Sequence, residues 1–324
     1  MLLEVEALNL DLPTPTGPAR IVREATFGLD LGGTLGVVGE SGSGKTMTAL
    51  AIMGLLPEGA RISGKLRFEG YDLAALDEEE WRHLRGNRIA MIFQEPMTAL
   101  NPLQTIGRQI AEGMVLHRGL SRSAALAEAA TLLERVGLPD PARRVRSYPY
   151  ELSGGQRQRA MIAMALGCAP KLIIADEPTT ALDVTVQAQI LDLLARLREE
   201  TGMALILVSH DLAVIAENCE RVIVMYGGMV MESGPTRDVL ERPAHPYTRA
   251  LLAARPQLGA TRGGKLRTIP GVAPPAGEAP AGCAFAGRCP LTIEACAAAM
   301  PPALALGPDR YARCIRLDEA ERTQ

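Results

Sequence analysis

The sequence predicts an α/β protein built on a largely parallel sheet. Three observations carry that prediction. Short apolar runs alternate with helix-like stretches along most of the chain. The first such run, residues 34–39, feeds a glycine-rich turn that opens a helix. A later run, residues 171–175, ends in two adjacent carboxylates, Asp176 and Glu177.

Each element follows from local pattern. Residues 34–39, 88–94, 171–176, 204–210 and 221–226 are short and apolar, which fits strands buried on both faces. Residues 45–56 read as a helix stopped by Pro57. Residues 186–197 read as an amphipathic helix, with Val186, Ile190, Leu193, Leu194 and Leu197 on one stripe. Between Pro102 and Ala165 the pattern is helical with no good strand, which predicts an inserted helical subdomain over about 102–165. After about Leu252 the composition shifts. Gly263-Gly264, Pro270, Pro274-Pro275, Gly277 and Pro280 mark a loop-rich stretch, so residues 1–252 and 253–324 are the expected domains.

Bulk composition narrows the function. At 47% hydrophobic residues over 324 the chain can bury a sizeable core. A net charge of −3 argues against a broad nucleic-acid-binding face. The apolar runs fall far short of the ~18–20 residues that span a bilayer. The start Met1-Leu2-Leu3-Glu4 has no basic segment of the signal-peptide kind, so a cytosolic location is expected, with membrane contact through partners.

Gly39-Glu40-Ser41-Gly42-Ser43-Gly44-Lys45-Thr46 fits the phosphate-loop pattern, with a strand before it and a helix after it. Its glycines let backbone N–H groups wrap a phosphate at a helix N-terminus. Lys45 supplies a charge to the β/γ-phosphates, and Thr46 a hydroxyl to Mg²⁺. Asp176 is expected to hold Mg²⁺ through water, while Glu177 activates the attacking water. Gln94 and His210 each end an apolar run. Gln94 is expected to contact Mg²⁺ or water, and His210 the γ-phosphate.

Leu152-Ser153-Gly154-Gly155-Gln156 opens a second helix with exposed N–H groups, a second anion site in the same chain. Thr180-Ala181-Leu182-Asp183 follows the acidic pair. Five motifs in this order resemble the ABC ATPase family over about residues 1–250. The resemblance implies a P-loop NTPase (RecA-like) sheet domain with the family's antiparallel β and inserted α-helical subdomains. It also implies two such domains packed head to tail, one phosphate loop facing the partner's signature across each ATP. Ser153, Gly154, Gly155, Gln156 and Asp183 then serve the partner's nucleotide.

Further stretches resemble the D-type ATPase subunits of oligopeptide and dipeptide importers. They are Gln94-Glu95-Pro96-Met97-Thr98-Ala99-Leu100-Asn101-Pro102, residues 176–189, His245-Pro246-Tyr247-Thr248 and Thr268-Ile269-Pro270-Gly271. That resemblance implies an F-type ATPase partner, two permease subunits, an extracytoplasmic solute-binding protein and a place on the cytoplasmic face of the inner membrane. It implies that residues 94–102 grip a permease coupling helix. Related subunits also serve nickel chelates, glutathione and other small solutes. A soluble ABC ATPase of DNA repair or translation is disfavoured, since neither a long coiled coil nor a tandem ATPase domain is present. Two departures stand out. The first aromatic residue is Phe27, whose alternation suits a core position, so adenine is expected near residues 12–21. Met47 replaces the second hydroxyl that many relatives carry after Thr46.

Cys168 and Cys219 stand alone, but Cys283, Cys289, Cys296 and Cys314 run C-x₅-C-x₆-C-x₁₇-C. In a reducing compartment this clustering points to a metal site that would help fold a core-poor tail. The spacing matches neither common zinc-ribbon nor ferredoxin runs, leaving Zn²⁺, an Fe–S cluster, or disulfides and free thiols open. The importer resemblance implies a [4Fe–4S] cluster in a metal-binding C-terminal extension.

Overall fold

A computed structural model of the protein describes residues 1–180, 182–254, 268–278 and 280–322. Gly263-Gly264 and Ala181 lie outside the described residues. In chain order, β1 (Leu3–Thr14) and β2 (Gly17–Leu29) precede β3 (Thr34–Val38), α1 (Lys45–Ile52), β4 (Arg61–Phe68) and β5 (Tyr71–Asp72). Next come α2 (Glu78–Leu84), β6 (Ile89–Ile92), α3 (Pro96–Ala99), α4 (Ile106–Arg118), α5 (Arg122–Arg135), α6 (Pro141–Arg144) and α7 (Gly154–Leu166). They are followed by β7 (Leu172–Asp176), α8 (Val184–Thr201), β8 (Ala204–Ser209), α9 (Leu212–Asn218), β9 (Arg221–Tyr226) and β10 (Met229–Pro235). The remainder is α10 (Thr236–Glu241), α11 (Pro246–Ala253), α12 (Glu294–Ala298), β11 (Leu304–Gly307), β12 (Arg310–Ala312) and α13 (Leu317–Arg322).

The chain forms two compact units. The first comprises Met1–Gly28, Leu35–Ala74 and Ser209–Gln324. Its four-stranded sheet runs β2-β1-β4-β5. In β1 the buried residues are Leu3 and Val5, then Leu8 and Leu10. That change of parity is made possible by a register shift between Glu6 and Asn9, where Ala7 takes a left-handed φ of 46°. Both halves of the strand therefore face the core. Phe27 is buried, as its alternation predicts. In the second sheet of this unit β3 pairs with β9 in parallel, and β9 pairs with β10 antiparallel. The C-terminal extension adds strands to that sheet, because β12 pairs with β10 and β11 with β12.

The second unit comprises Leu29–Thr34 and Ala75–Val208. Here β6, β7 and β8 pair in parallel, and every residue of these strands is buried. Their continuous apolar runs follow from cover on both faces. The described elements from Pro96 to Leu166 are all helical. In α4 the residues Ile106, Ile110 and Met114 face inward at four-residue spacing, against Ala125, Ala129 and Leu133 of α5.

Two helices depart from expectation. α1 ends at Ile52 rather than near Leu56, because the chain leaves the helix through Gly54 at φ 61°. α8 starts earlier and ends later than residues 186–197. Asp183 caps it through the Val186 N–H at 2.9 Å, and Gly202 at φ 68° stops it. Among the described residues no helix is long and apolar enough to cross a membrane.

Candidate functional site

In the first unit, β3 delivers the chain into a turn that starts α1. Gly39, Gly42 and Gly44 take φ values of 157°, 76° and 99° there. Gly44 is the N-cap, and a Cβ on it would lie 3.3 Å from the Ile21 carbonyl and from Val22 Cγ2. The turn is therefore pressed against the β1–β2 hairpin, the region expected to meet adenine. Lys45 is 6% exposed, and its Nζ donates to the carbonyls of Gly39 at 2.8 Å and Glu40 at 3.0 Å. The Ser43 hydroxyl is buried with no partner among the described residues. A buried polar atom left so costs roughly 1–3 kcal/mol unless a guest satisfies it. A folded-back ammonium, an unsatisfied hydroxyl and a helix N-terminus together fit an anionic guest. Ser41, Gly42 and Thr46 are exposed around it. The Glu40 N–H instead donates to Tyr247 Oη at 2.9 Å. His210 is exposed just past β8. Asp211 fixes the next turn by capping α9 through the Ala213 N–H at 2.7 Å.

The second unit carries the acidic pair. Asp176 is the last residue of β7 and is 3% exposed. Glu177 takes a left-handed φ of 44°, uncommon for a residue with a side chain and costly unless its surroundings hold it. Its N–H donates to the Val208 carbonyl at 3.0 Å. Its Oε2 accepts from Gln94 Nε2 at 3.1 Å and from Thr180 Oγ1 at 3.0 Å. The carboxylate is thus aimed by two donors from different segments. Strained backbone plus a doubly anchored carboxylate suits a positioned general base.

The same unit holds the second helix N-terminus. Ser153 Oγ accepts the Gln156 N–H at 3.4 Å, and Gln156 Oε1 accepts the Ser153 N–H at 3.1 Å. This reciprocal cap starts α7. A Cβ on Gly155 would lie 2.8 Å from Val186 Cγ1, so only glycine lets α7 approach the start of α8 this closely. Ser153, Gly154, Gly155, Gln156, Leu182 and Asp183 line a cleft of about 370 Å³. Arg159 borders it, held by Gln189 at 3.0 Å, and burial pulls its guanidinium below the usual arginine range.

Comparison with known proteins matches two families. Residues 22–180 match the ABC transporter family, and residues 231–296 match the oligopeptide/dipeptide transporter C-terminal region. The chain is 51% identical to a putative peptide import ATP-binding protein of Brucella abortus, over 98% of both chains. It is 49% identical to the oligopeptide transport ATP-binding protein OppD of Salmonella typhimurium, over 98% of this chain and 94% of that one. With the dipeptide transport ATP-binding protein DppD of Escherichia coli it shares 46%, over 99% and 98%. The chain belongs to the ABC transporter ATP-binding proteins, in the oligopeptide/dipeptide branch. A dimeric ATP-binding cassette in a post-hydrolysis state with ADP and Pi superposes at TM-score 0.65 and 28% identity. The match covers 72% of this chain and 99% of that one.

The branch is marked by its C-terminal extension, where the four cysteines lie. Among the described residues no group of three or more Cys, His, Asp or Glu side chains stands ready to hold a metal, so the metal-binding extension expected from the sequence is not supported as a preformed site. Cys283, Cys296 and Cys314 are buried, and Cys289 is half-buried. Burial pushes Cys283 up to about 11, with Cys289, Cys314 and Cys296 acting on it in the same direction. Burial also raises Cys289 and Cys314. The donor chemistry nonetheless suits thiolates. Backbone N–H groups of Phe285, Leu291 and Arg316, each two residues on, point at the sulfurs of Cys283, Cys289 and Cys314.

The sequence does not reveal the link between this extension and the phosphate loop. Arg288 Nη1 donates to Glu40 Oε2 at 2.7 Å across 248 positions. The only signal was the nearness of Arg288 to Cys289 in sequence. Likewise Glu232 is fully buried, accepting from the N–H groups of Ala244 and His245 at 2.9 Å each and pairing with Arg310 at 3.2 Å.

Proposed function

We propose that this chain is the ATP-binding and ATP-hydrolysing subunit of an ABC importer for oligopeptides or dipeptides. One observation carries the reading. A cassette match over residues 22–180 and the oligopeptide/dipeptide C-terminal region over residues 231–296 occur in one chain. Relatives at about half identity over the whole length carry peptide import, oligopeptide transport or dipeptide transport in their names.

The phosphate loop, Gly39 to Thr46, takes the triphosphate on its N–H groups, with Lys45 as the counter-charge. Mg²⁺ bound through Thr46, Asp176 and Gln94 would neutralise the phosphate oxygens as charge develops. Glu177 receives a proton from the attacking water, and the anchoring of its Oε2 by Gln94 and Thr180 supports that role. His210 contacts the γ-phosphate. Ser153, Gly154, Gly155, Gln156 and Asp183 close on the nucleotide of a second ATPase subunit, an F-type chain in a heterodimer. The cleft they line supports a role toward an outside ligand.

Two permease subunits and a solute-binding protein complete the importer, and the ATPase sits at the cytoplasmic face of the membrane. Residues 94–102 engage a permease coupling helix. Met97 at 65% and the neighbouring Leu103 at 85% exposure support that role, since exposed large apolar side chains favour a partner. The four cysteines hold a [4Fe–4S] cluster, with zinc as the other candidate. Support comes from three backbone N–H groups directed at sulfur and from the mutual influence of the thiols.

The transport reading is tested by reconstituting the chain with its permeases and an F-type subunit in vesicles. ATP-dependent uptake of labelled peptide is expected, and ATP turnover without peptide uptake would sink the cargo assignment. Anaerobic purification tests the thiol centre. Colourless protein with stoichiometric zinc would exclude the cluster, and absence of both metals would exclude a metal centre.

A further inference from the structure

The pair of Arg288 and Glu40 joins the thiol-rich extension to the phosphate loop within one compact unit. Arg288 is buried, its side chain 8% exposed, and heavily tethered. Its Nε donates to the Pro270 carbonyl at 2.8 Å, its Nη2 to the Ile269 carbonyl at 3.2 Å and its Nη1 to Tyr226 Oη at 3.0 Å. The guanidinium carbon lies 5.7 Å from the centre of the Tyr226 ring. Its position is thus set by two carbonyls of the extension and by Tyr226 of β9, and Glu40 comes to it. The backbone of Glu40 is held from the same side, by Tyr247.

This matters because Glu40 is an anion in a loop built for anions. The same residue's carbonyl already accepts from Lys45 Nζ at 3.0 Å. A carboxylate not drawn away would repel a triphosphate and compete for the ammonium that should meet it. A guanidinium fixed at 2.7 Å removes both problems. We infer that Arg288 is a positioning residue of the ATP site: it draws the Glu40 carboxylate out of the phosphate cradle, so that the C-terminal extension sets the nucleotide affinity of the loop. The inference rests on ATP binding at this loop as proposed above.

The test is a titration of the full-length chain with a fluorescent ATP analogue and Mg²⁺. Wild-type binding that Lys45→Ala abolishes establishes the ATP reading first, and its absence would fail that reading rather than this one. Arg288→Gln keeps an amide donor for the nearby carbonyls but removes the charge. It is expected to raise the Kd roughly tenfold, as one uncompensated carboxylate near phosphate should. In a Glu40→Gln background the same change is expected to cost less than twofold, because nothing is left to draw away. Arg288→Lys is expected to stay within about threefold of wild type. An unchanged Kd for Arg288→Gln, an equal loss in both backgrounds, or an Arg288→Lys loss as large as that of Arg288→Gln overturns the inference. Glu40→Gln leaves the extension untouched and covers the case in which the Arg288 variants fail to fold. Removing the carboxylate altogether is expected to tighten binding about twofold, whereas a raised Kd would overturn the inference.

Discussion

Gln94 donates to Glu177 across the second unit, at 3.1 Å, and shares the same carboxylate oxygen with Thr180. A residue just past β6 thereby sets the direction of the carboxylate just past β7. A shift at Gln94 would move one of the two donors to the Glu177 carboxylate.

Glu177→Gln should bind ATP but hydrolyse it at least about 100-fold more slowly, the usual contribution of a positioned general base. The change keeps the side-chain size while removing the proton acceptor. Phosphate release from the assembled importer reads the rate, and size-exclusion in ATP should show a longer-lived ATPase pair. Near-normal hydrolysis would reassign the base.

Gln94→Ala removes one of the two donors and leaves Thr180. Hydrolysis should fall less than in Glu177→Gln, about tenfold, with nucleotide affinity nearly unchanged. Comparing kcat and KM for ATP in the assembled complex separates positioning from binding. A rise in KM alone would place Gln94 at the nucleotide instead.

Lys45→Ala should lose nucleotide binding while the fold is kept. The ammonium donates to the loop carbonyls of Gly39 and Glu40. Equilibrium titration with a fluorescent nucleotide checks binding, and circular dichroism checks the fold.

His245 gives the first unit a sensitivity to acid. It is buried, accepts the Tyr247 N–H at 3.0 Å and donates its ring N–H to the Arg313 carbonyl, and burial lowers its pKa from 6.5 to about 3. Below pH 6.5 the unfolded chain takes up a proton that the folded chain refuses. Stability from this group is therefore complete above pH 6.5 and declines as pH falls toward 3. At pH 5 the loss is about 2 kcal/mol. Urea midpoints at pH 7.5 and 5 should show it, and His245→Asn should flatten the difference.

Arg310→Met should cost about 3–5 kcal/mol, because it strands the fully buried carboxylate of Glu232. Urea unfolding measures it. Removing both charges, in Glu232→Met with Arg310→Met, should recover part of the loss.

The phosphate loop, the acidic pair and the second helix N-terminus were legible because each is local. Gly39 to Thr46 and Ser153 to Gln156 carry their chemistry in consecutive residues, and β7 and β8 are continuous apolar runs. What escaped was non-local or conformational. The ion pair of Arg288 with Glu40 and the burial of Glu232 depend on segments brought together only by folding. The left-handed backbone of Glu177 leaves no trace in residue type, since tertiary contacts hold it there. The thiol spacing was legible as a cluster, but spacing cannot state whether sulfurs stand in ligand geometry.

Composition invites a cut near Leu252, yet β12 of the extension is hydrogen-bonded to β10, with Ala312 opposite Glu232 and Tyr311 opposite Ser233. A cassette shortened at that point would present the flank of β10 as a naked edge of backbone donors and acceptors, a template for stacking one molecule onto another. The tail thus covers the flank of β10 with β12. A minimal ATPase made by trimming it should precipitate or self-associate before any assay of turnover could be made.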